Sequence, residues 1–178
     1  MNKLKIIGFI ILSILFVSAS NTSIELETKS LLNDQIELKI PKDFKIMSEE
    51  MIKLKYPPEK PPTLVYTDER GEINVAFNLT TSKAEQGLLL SYKDYFIKAM
   101  KDRYPSAKWK SDGIAEINGR KVAYLEMITP GIDTKIYNLM FFTDVDGKLL
   151  LCTFNCTQSS MKEWSAAAKE IMYSLKVK

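Results

Sequence analysis

The sequence predicts an α+β domain in which a mostly antiparallel sheet of about six to seven strands is flanked by helices. Two dipeptides that favour tight hairpins, Asn118-Gly119 and Asp146-Gly147, stand between apolar-rich runs. Both central positions of such a turn need a positive φ, which Asn, Asp and Gly tolerate best. A further observation is an apolar stripe at helical spacing in each of two longer segments. Hairpin-linked strands together with amphipathic helices favour a layered domain.

The N-terminal region is expected to precede the folded domain. Met1 to Ser20 begins with lysines, continues with the apolar run Ile6 to Val17 and ends in small residues, as a secretory signal peptide does. The apolar run is shorter than the roughly 20 residues that a membrane-spanning helix needs. We therefore predict a periplasmic or secreted protein with no stable membrane span after leader removal; an uncleaved anchor is the alternative. Residues 21–34 are expected to form a flexible lead-in, and residues 35–178 a single domain.

The first half of this domain is expected to contain a strand, a short helix and a hairpin. Apolar and polar residues alternate from Gln35 to Ile40, which predicts a strand that Pro41 ends. Ser48 suits the N-cap of a short helix, because its hydroxyl can accept a hydrogen bond from the first turn. The hairpin is predicted from two patterned runs on either side of a polar turn, Leu64 to Thr67 and Glu72 to Thr81.

The second half is expected to contain a helix, a meander and a closing helix. Ser91 and Asp94 fit a capping box for a helix that runs to Tyr104, and Ser160 and Glu163 fit a second one. The meander strands and the final helix are predicted, in order, at Ile114 to Ile117, Lys121 to Thr129, Lys135 to Thr143, Lys148 to Thr157 and Ser160 to Leu175.

Composition excludes several chemistries. The chain of 178 residues contains no histidine, which excludes Ser-His-Asp and Cys-His catalysis and His-liganded zinc. The formal net charge is +3, and loss of Lys3 and Lys5 with the leader would leave +1. A domain so close to neutrality has no overall field that favours nucleic acid or an anionic membrane. No glycine-rich phosphate loop or nucleophile elbow is present. We identify no catalytic residue, no metal ligand set and no cofactor.

The two cysteines are predicted to be unpaired. Cys152 and Cys156 lie on one predicted strand, four residues apart. At about 3.3 Å per residue their Cα atoms would be roughly 13 Å apart. A disulfide needs a separation under about 7 Å. Both cysteines share a strand face with Leu150 and Phe154, so we interpret them as small buried apolar residues.

A set of structural landmarks resembles a known family. They are, in order, Ile40-Pro41, Phe44, Ile117-Asn118-Gly119, Ala123-Tyr124, Tyr137, Phe141-Phe142, Asp146-Gly147, Cys152-Thr153-Phe154, Trp164, Ile171 and Ser174-Leu175. In this order they resemble the Mog/PsbP-like domain, which also includes bacterial envelope proteins of the DcrB type, over roughly Gln35 to Leu175. The resemblance implies a curved antiparallel sheet between helices and a non-enzymatic adaptor or binding role. No functional residue can be assigned from the resemblance, because the family shares no catalytic motif. The histidine metal site of some plant members has no counterpart in this sequence.

The resulting hypothesis is an exported, non-enzymatic binding or accessory protein that recognises an envelope protein through surface loops and one sheet face. The candidate contact residues are those whose exposure core packing explains least: Tyr56 with the proline-rich segment that follows it, Tyr66, Arg70 and Trp109. A role as an immunity or secretion-accessory protein is a special case of this hypothesis.

Two other classes of function remain open from the sequence. A carrier of a small apolar ligand would line a cavity between helix and sheet with Tyr92, Tyr95, Phe96 and Met100. A hydrolase would need two neighbouring carboxylates. The acidic residues available for such a pair are Asp43, Glu49, Glu50, Asp68, Glu69 and Glu72.

Overall fold

The computed structural model of the protein describes residues 23–178, so the predicted leader lies outside the described residues. Its helices are α1 (Glu49–Lys55), α2 (Leu89–Arg103) and α3 (Met161–Tyr173). Its strands are β1 (Leu26–Leu31), β2 (Ile36–Pro41), β3 (Lys45–Ile46), β4 (Leu64–Thr67), β5 (Asn74–Lys83), β6 (Lys108–Ile117), β7 (Arg120–Pro130), β8 (Lys135–Val145), β9 (Lys148–Thr157) and β10 (Lys176–Val177).

The strands form two antiparallel sheets. The larger has seven strands in the order β3-β4-β5-β9-β8-β7-β6, and the smaller has three in the order β1-β2-β10. The meander from β6 to β9 makes up most of the larger sheet, and β5 pairs with β9 to join it to the N-terminal hairpin. The predicted α+β fold class is confirmed. The separate three-stranded sheet is an addition that the sequence pattern did not predict.

Both predicted hairpin turns form. Asn118 and Gly119 have φ values of 49° and 77°, and Asp146 and Gly147 have φ values of 49° and 72°. These positive values are the ones that a two-residue turn requires, and Asn, Asp and Gly adopt them at the lowest steric cost. The Asn118 side chain also donates a hydrogen bond of 2.9 Å to the Leu175 carbonyl. The first turn of the meander therefore also holds the chain where it leaves α3.

Both faces of the seven-stranded sheet pack against other elements. Helix α2 packs over β6 and β7 on one face, here called the α2 face. Helix α3 and the three-stranded sheet lie side by side on the other, here called the α3 face, where α3 contacts β2, β8 and β9. The main core lies on the α3 face and includes Ile36 and Leu38 from the small sheet and Phe154 from the large one. A smaller core under α2 is built around Leu125 and Phe142.

The structure corrects several local predictions. Leu26–Leu31 is a strand rather than part of a flexible lead-in. Its sequence has no clear alternation of apolar and polar residues, and it is ordered because its backbone pairs with β2. Neither predicted capping box forms. A turn of 3-10 helix, Gln86–Leu88, runs directly into α2, so Ser91 lies inside the helix. Ser160 stands at the N-cap of α3 but has helical backbone angles and makes no side-chain cap. The Ser48 cap is confirmed, since its hydroxyl accepts from the Met51 N–H at 3.3 Å.

The cysteine prediction is confirmed. Cys152 and Cys156 are free thiols on β9, and both are fully buried. Burial raises the pKa of the Cys152 thiol. Burial, with the nearby charge of Glu163, raises the pKa of Cys156 to about 12. Both therefore behave as small apolar residues of the α3-face core rather than as nucleophiles.

Candidate functional site

An open groove lies at one corner of the α3 face. Its volume is about 1060 Å³. Four segments far apart in the sequence form its walls: the residues that lead into β1, the corner between β2 and β3, the turn between β4 and β5, and the first turn of α3. Its charged, aromatic and large apolar lining residues include Glu25, Lys42, Asp43, Phe44, Lys45, Asp68, Glu69, Arg70, Ile73, Glu163 and Trp164. We call this cavity the corner groove.

Aromatic packing forms the apolar part of the corner groove. The Phe44 ring lies 5.5 Å from the Trp164 ring, centroid to centroid, at an angle of 31°. Trp164 in turn stacks on the buried Phe154, with centroids 6.0 Å apart and an angle of 23°. Ile73 is buried beside them. Because Phe154 belongs to the main core, the aromatic floor of the groove is fixed by the packing of α3 on the sheet.

Charged side chains form the rim. The lining contains five carboxylates and three cations, an excess of two negative charges. Lys42 pairs with Glu25 at 2.7 Å, and its hydrogen bond holds the pKa of the Glu25 carboxyl below its ordinary value. Arg70 pairs with Glu72 at 3.2 Å and approaches Asp68 at 4.0 Å.

The other rim charges are left without such partners. Within residues 23–178, Asp43, Glu69 and Glu163 form no ion pair, and neither does Lys45. The groove therefore presents three uncompensated carboxylates against one uncompensated ammonium. A charged partner that enters the groove would meet a net negative rim.

The structure separates the four residues predicted to contact a partner. Arg70 lines the corner groove, and its side chain is 73% exposed. Tyr66 lies on the neighbouring strand β4 but packs against the main core, with the Lys29 ammonium 5.6 Å from its ring centroid. Tyr56 caps the end of α1, and burial raises the pKa of its phenol. Trp109 lies on β6, the opposite edge of the seven-stranded sheet, packed against the core under α2. Arg70 is therefore the one member of the set that the structure places in the groove.

Sequence reasoning missed Phe44, Glu163 and Trp164 as site residues. The sequence indicated Phe44 and Trp164 only as structural landmarks and Glu163 only as part of a capping box. No sequence pattern shows that the two rings meet, because Phe44 and Trp164 approach one another only through the packing of α3 on the sheet.

The acidic residues considered for a hydrolase divide between sites. Asp43, Asp68 and Glu69 line the corner groove, whereas Glu49, Glu50 and Glu72 do not. Asp68 accepts a hydrogen bond of 2.9 Å from the Ile73 N–H, so this carboxylate supports the turn between β4 and β5. Within residues 23–178, no two carboxylates of the groove share a hydrogen bond. In the described part of the chain, the groove carboxylates therefore form no hydrogen-bonded pair of the kind that acid-base catalysis can use.

The aromatic residues of α2 pack directly on the sheet. Tyr92, Phe96 and Met100 contact the core under α2, and the Phe96 ring meets the Phe142 ring edge-on at 5.1 Å. Tyr95 points away and is 63% exposed. These residues line neither the corner groove nor a second cavity of about 300 Å³ between the β1–β2 turn and β4.

A second group of ionisable side chains lies inside the α3 face. Glu126 on β7 is 2% exposed. Its carboxylate accepts hydrogen bonds from Ser111 at 2.7 Å and Tyr137 at 3.0 Å, and Lys169 of α3 lies 3.4 Å away. Burial opposes ionisation, but these donors and the Lys169 charge outweigh it and lower the pKa of Glu126. Burial and the same carboxylate raise the pKa of the Tyr137 phenol. The group is fully hydrogen-bonded and joins α3 to the sheet.

Comparison with known proteins bears on the fold of this chain. Among residues 23–178, no helix combines the length and the apolar character that a bilayer crossing requires. No protein-family model matches the chain, and no curated protein does. Comparison with solved structures shows a PsbP-like fold, which confirms the resemblance described above at the level of the fold.

Three solved structures illustrate this likeness. Cyanobacterial PsbP (CyanoP) from Synechocystis sp. PCC 6803 aligns with 87% of this chain and 94% of its own, at 16% identity and a TM-score of 0.61. PA94 from Pseudomonas aeruginosa, a putative regulator of unknown function, aligns with 86% of this chain and 97% of its own, at 14% identity and a TM-score of 0.51. A protein from Bacteroides thetaiotaomicron aligns over 85% of this chain but 48% of its own, at 13% identity and a TM-score of 0.53. The chain therefore spans about half the length of that third protein.

Proposed function

We propose that the protein is an exported, non-enzymatic accessory protein of the cell envelope that recognises a partner protein through the corner groove. The observation that carries the proposal is the combination of an aromatic floor with a rim of uncompensated charges. Scaffolds of this kind place recognition residues on loops and element ends that a rigid core holds in position. In this chain the rigid part is the contact of Phe44, Trp164 and Phe154.

The non-enzymatic part of the proposal rests on chemistry. The chain lacks histidine, and both cysteine thiols are buried and have raised pKa values. The Glu126 carboxylate is buried, and each of its oxygens accepts a hydrogen bond. Because its pKa is lowered, this group is suited neither to donating nor to accepting a proton near neutral pH. The proposed export rests on the three-part pattern of Met1 to Ser20. Fractionation of cells that express the full chain tests it, and recovery of uncleaved protein from the cytoplasm would contradict it.

Site-specific photocrosslinking tests the docking site. A photoreactive amino acid replaces Lys45 or Glu69 in the groove, and Glu116 on the edge strand β6 serves as the matched exposed control. We expect one discrete protein adduct from both groove positions and none from Glu116. Mass spectrometry identifies the partner, which is then purified and titrated against the protein and against the Glu163→Lys variant. Adducts of equal yield at Glu116, or titration unchanged by Glu163→Lys, would overturn the proposal.

A further inference from the structure

We propose that the segment recognised by the corner groove is basic, and that it places Lys or Arg side chains across the aromatic floor towards the acidic rim. This inference rests on the proposed function and specifies the chemistry of its partner. Three features of the groove carry it: the sign of its charge, the arrangement of apolar and acidic groups, and its size.

The charge of the groove is opposite to that of the chain. The whole sequence has a formal net charge of +3, whereas the groove lining has five carboxylates and three cations. Two of the cations, Lys42 and Arg70, are already engaged with carboxylates. Complementary charge steers a partner towards a site and rejects partners of the wrong sign. An anionic segment would meet Asp43, Glu69 and Glu163, so the groove disfavours it.

The arrangement of the lining suits the two-part structure of a basic side chain. Lys and Arg bury their aliphatic stems along apolar surface while the charged head reaches a polar partner. The partly exposed Trp164 ring supplies most of the apolar surface, and the buried Phe44 ring supports it from the side. Glu163 lies in the first turn of α3 and lines the same groove as Trp164, so its carboxylate is available to a charged head there. A charged head within reach of it would form a charge-assisted hydrogen bond, the stronger class of hydrogen bond.

The size of the groove favours a peptide segment over a small cation. Its volume of about 1060 Å³ is open to solvent, whereas pockets for small molecules are of about 300–1,000 Å³ and enclose most of the ligand. Carboxylates from separate walls, such as Asp43 and Glu69, would each meet a different side chain of an extended segment. Several exposed ion pairs are then made together, which offsets the weakness of each one.

Peptide binding tests the inference. The probes are a short fluorescent lysine-rich peptide and two counterparts in which every lysine is replaced by glutamine or by glutamate. Binding is followed by anisotropy, and by the emission of Trp164 in a Trp109→Phe background that leaves Trp164 as the single tryptophan. We expect the lysine peptide to bind, the glutamine peptide to bind more weakly and the glutamate peptide not to bind. Binding should weaken as salt rises and should change the Trp164 emission.

Charge-reversal variants locate the site. Glu163→Lys and Glu69→Lys should each lower the affinity for the lysine peptide about three- to tenfold. Glu116→Lys is the control, because it makes the same change in net charge at the opposite edge of the large sheet. Circular dichroism of each variant confirms folding, and Glu69→Lys, in an exposed turn, serves if Glu163→Lys unfolds α3. An equal loss in Glu116→Lys, or equal binding of the glutamate peptide, would overturn the inference.

The two proposals fail in different ways. Groove-specific adducts with a partner protein and no preference for the lysine peptide would leave the docking site in place and remove the basic segment. Preference for the lysine peptide without any protein adduct would keep the charge selectivity of the groove and remove its role in protein recognition. Binding of the lysine peptide with no change in Trp164 emission would place the peptide elsewhere and contradict the inference.

Discussion

The two faces of the seven-stranded sheet are covered in different ways. The α2 face is covered over β6 and β7 by one helix, whose apolar stripe comes from a single stretch of sequence, Leu89–Arg103. The α3 face is covered by α3 together with a separate sheet whose strands come from both ends of the described chain. Each face has one tryptophan. Trp109 packs against the core under α2, and Trp164 packs against the main core.

This difference explains where the groove lies. A single helix places its side chains at regular intervals, so α2 packs its apolar stripe on β6 and β7 without contributions from another segment. On the α3 face the parts meet at angles set by their own pairing, and the space between the β2–β3 corner and the start of α3 stays open. A face assembled from distant segments can therefore bring unlike side chains together, and here it places Phe44 beside Trp164 with Glu163 next to it.

The largest expected effect comes from removing one large ring from each face. Phe154→Ala and Phe142→Ala should each lower the free energy of unfolding by about 3–5 kcal/mol, because both rings are fully buried. Urea titration measures the loss. Phe154 stacks on Trp164, so only its variant should also shift the Trp164 emission and weaken binding at the groove. An equal shift in Phe142→Ala would show that the two faces are not independent.

A smaller effect is expected at the buried carboxylate of the α3 face. Glu126→Gln should lower the free energy of unfolding by about 1.5–3 kcal/mol at pH 7, because hydrogen bonds from Ser111 and Tyr137 then meet a neutral group. The folded pKa of Glu126 is lowered, so its charge stabilises the fold above the unfolded pKa of about 4.3. This contribution is lost as the pH falls through the folded pKa.

Urea titrations of both proteins at neutral and at acid pH check this sign. The difference in stability between the protein and Glu126→Gln should shrink as the pH is lowered below about 4. Glu116→Gln, an exposed glutamate on β6, should show no comparable difference at either pH. A gap that widens in acid would contradict a lowered pKa.

Hydrogen bonds of the Gln86 side chain hold the start of α2, and their loss should have a still smaller effect on the free energy of unfolding. The Gln86 side chain accepts from the Lys121 N–H at 2.7 Å and donates to Thr143 at 3.2 Å and to Asp144. It thereby holds the start of α2 on β7 and β8. Gln86→Ala should lower the free energy of unfolding by about 1–2 kcal/mol. Hydrogen exchange should speed up at the start of α2 and leave α3 unchanged; faster exchange in α3 would contradict the separation of the two faces.

The smallest effect on stability is expected in the groove. Glu163→Gln should change the free energy of unfolding by less than about 0.5 kcal/mol, because the residue is exposed and has no ion-pair partner within residues 23–178. The same variant should lower the affinity of the protein for a basic peptide. A large loss of stability would show that Glu163 supports the fold rather than the site.

Local signals in the sequence predicted much of the fold. The dipeptides Asn118-Gly119 and Asp146-Gly147 set the meander, because positive φ is a property of the residues themselves. Ser48 capped its helix as predicted. Prediction failed where residues outside the local motif decided the outcome. Leu26–Leu31 is a strand because β2 pairs with it, and Ser91 does not cap because the chain is already helical before it.

Of the residues that line the groove, the sequence indicated Arg70 as a partner contact, and it named Asp43, Asp68 and Glu69 only as carboxylates for a hydrolase. The exposure of Arg70 followed from its place in a polar turn, which is local information. Trp109 had similar local features but packs on the other face, because a register shift between Trp109 and Ser111 sets which side of β6 each residue occupies. Exposure of an aromatic residue depends on what covers it, and a linear pattern does not contain that information.

The amino-acid sequence by itself determined the turns, the amphipathic helices, the separation of the two cysteines along one strand and the absence of histidine chemistry. Each of these depends on the residues present and on neighbours within a few positions. Only the tertiary structure decided that Glu126 would be buried beneath Lys169 and that Phe44 and Trp164 would form one floor. The physical reason is that burial and groove shape are set by contacts between segments far apart in the chain, which form only when the layers pack.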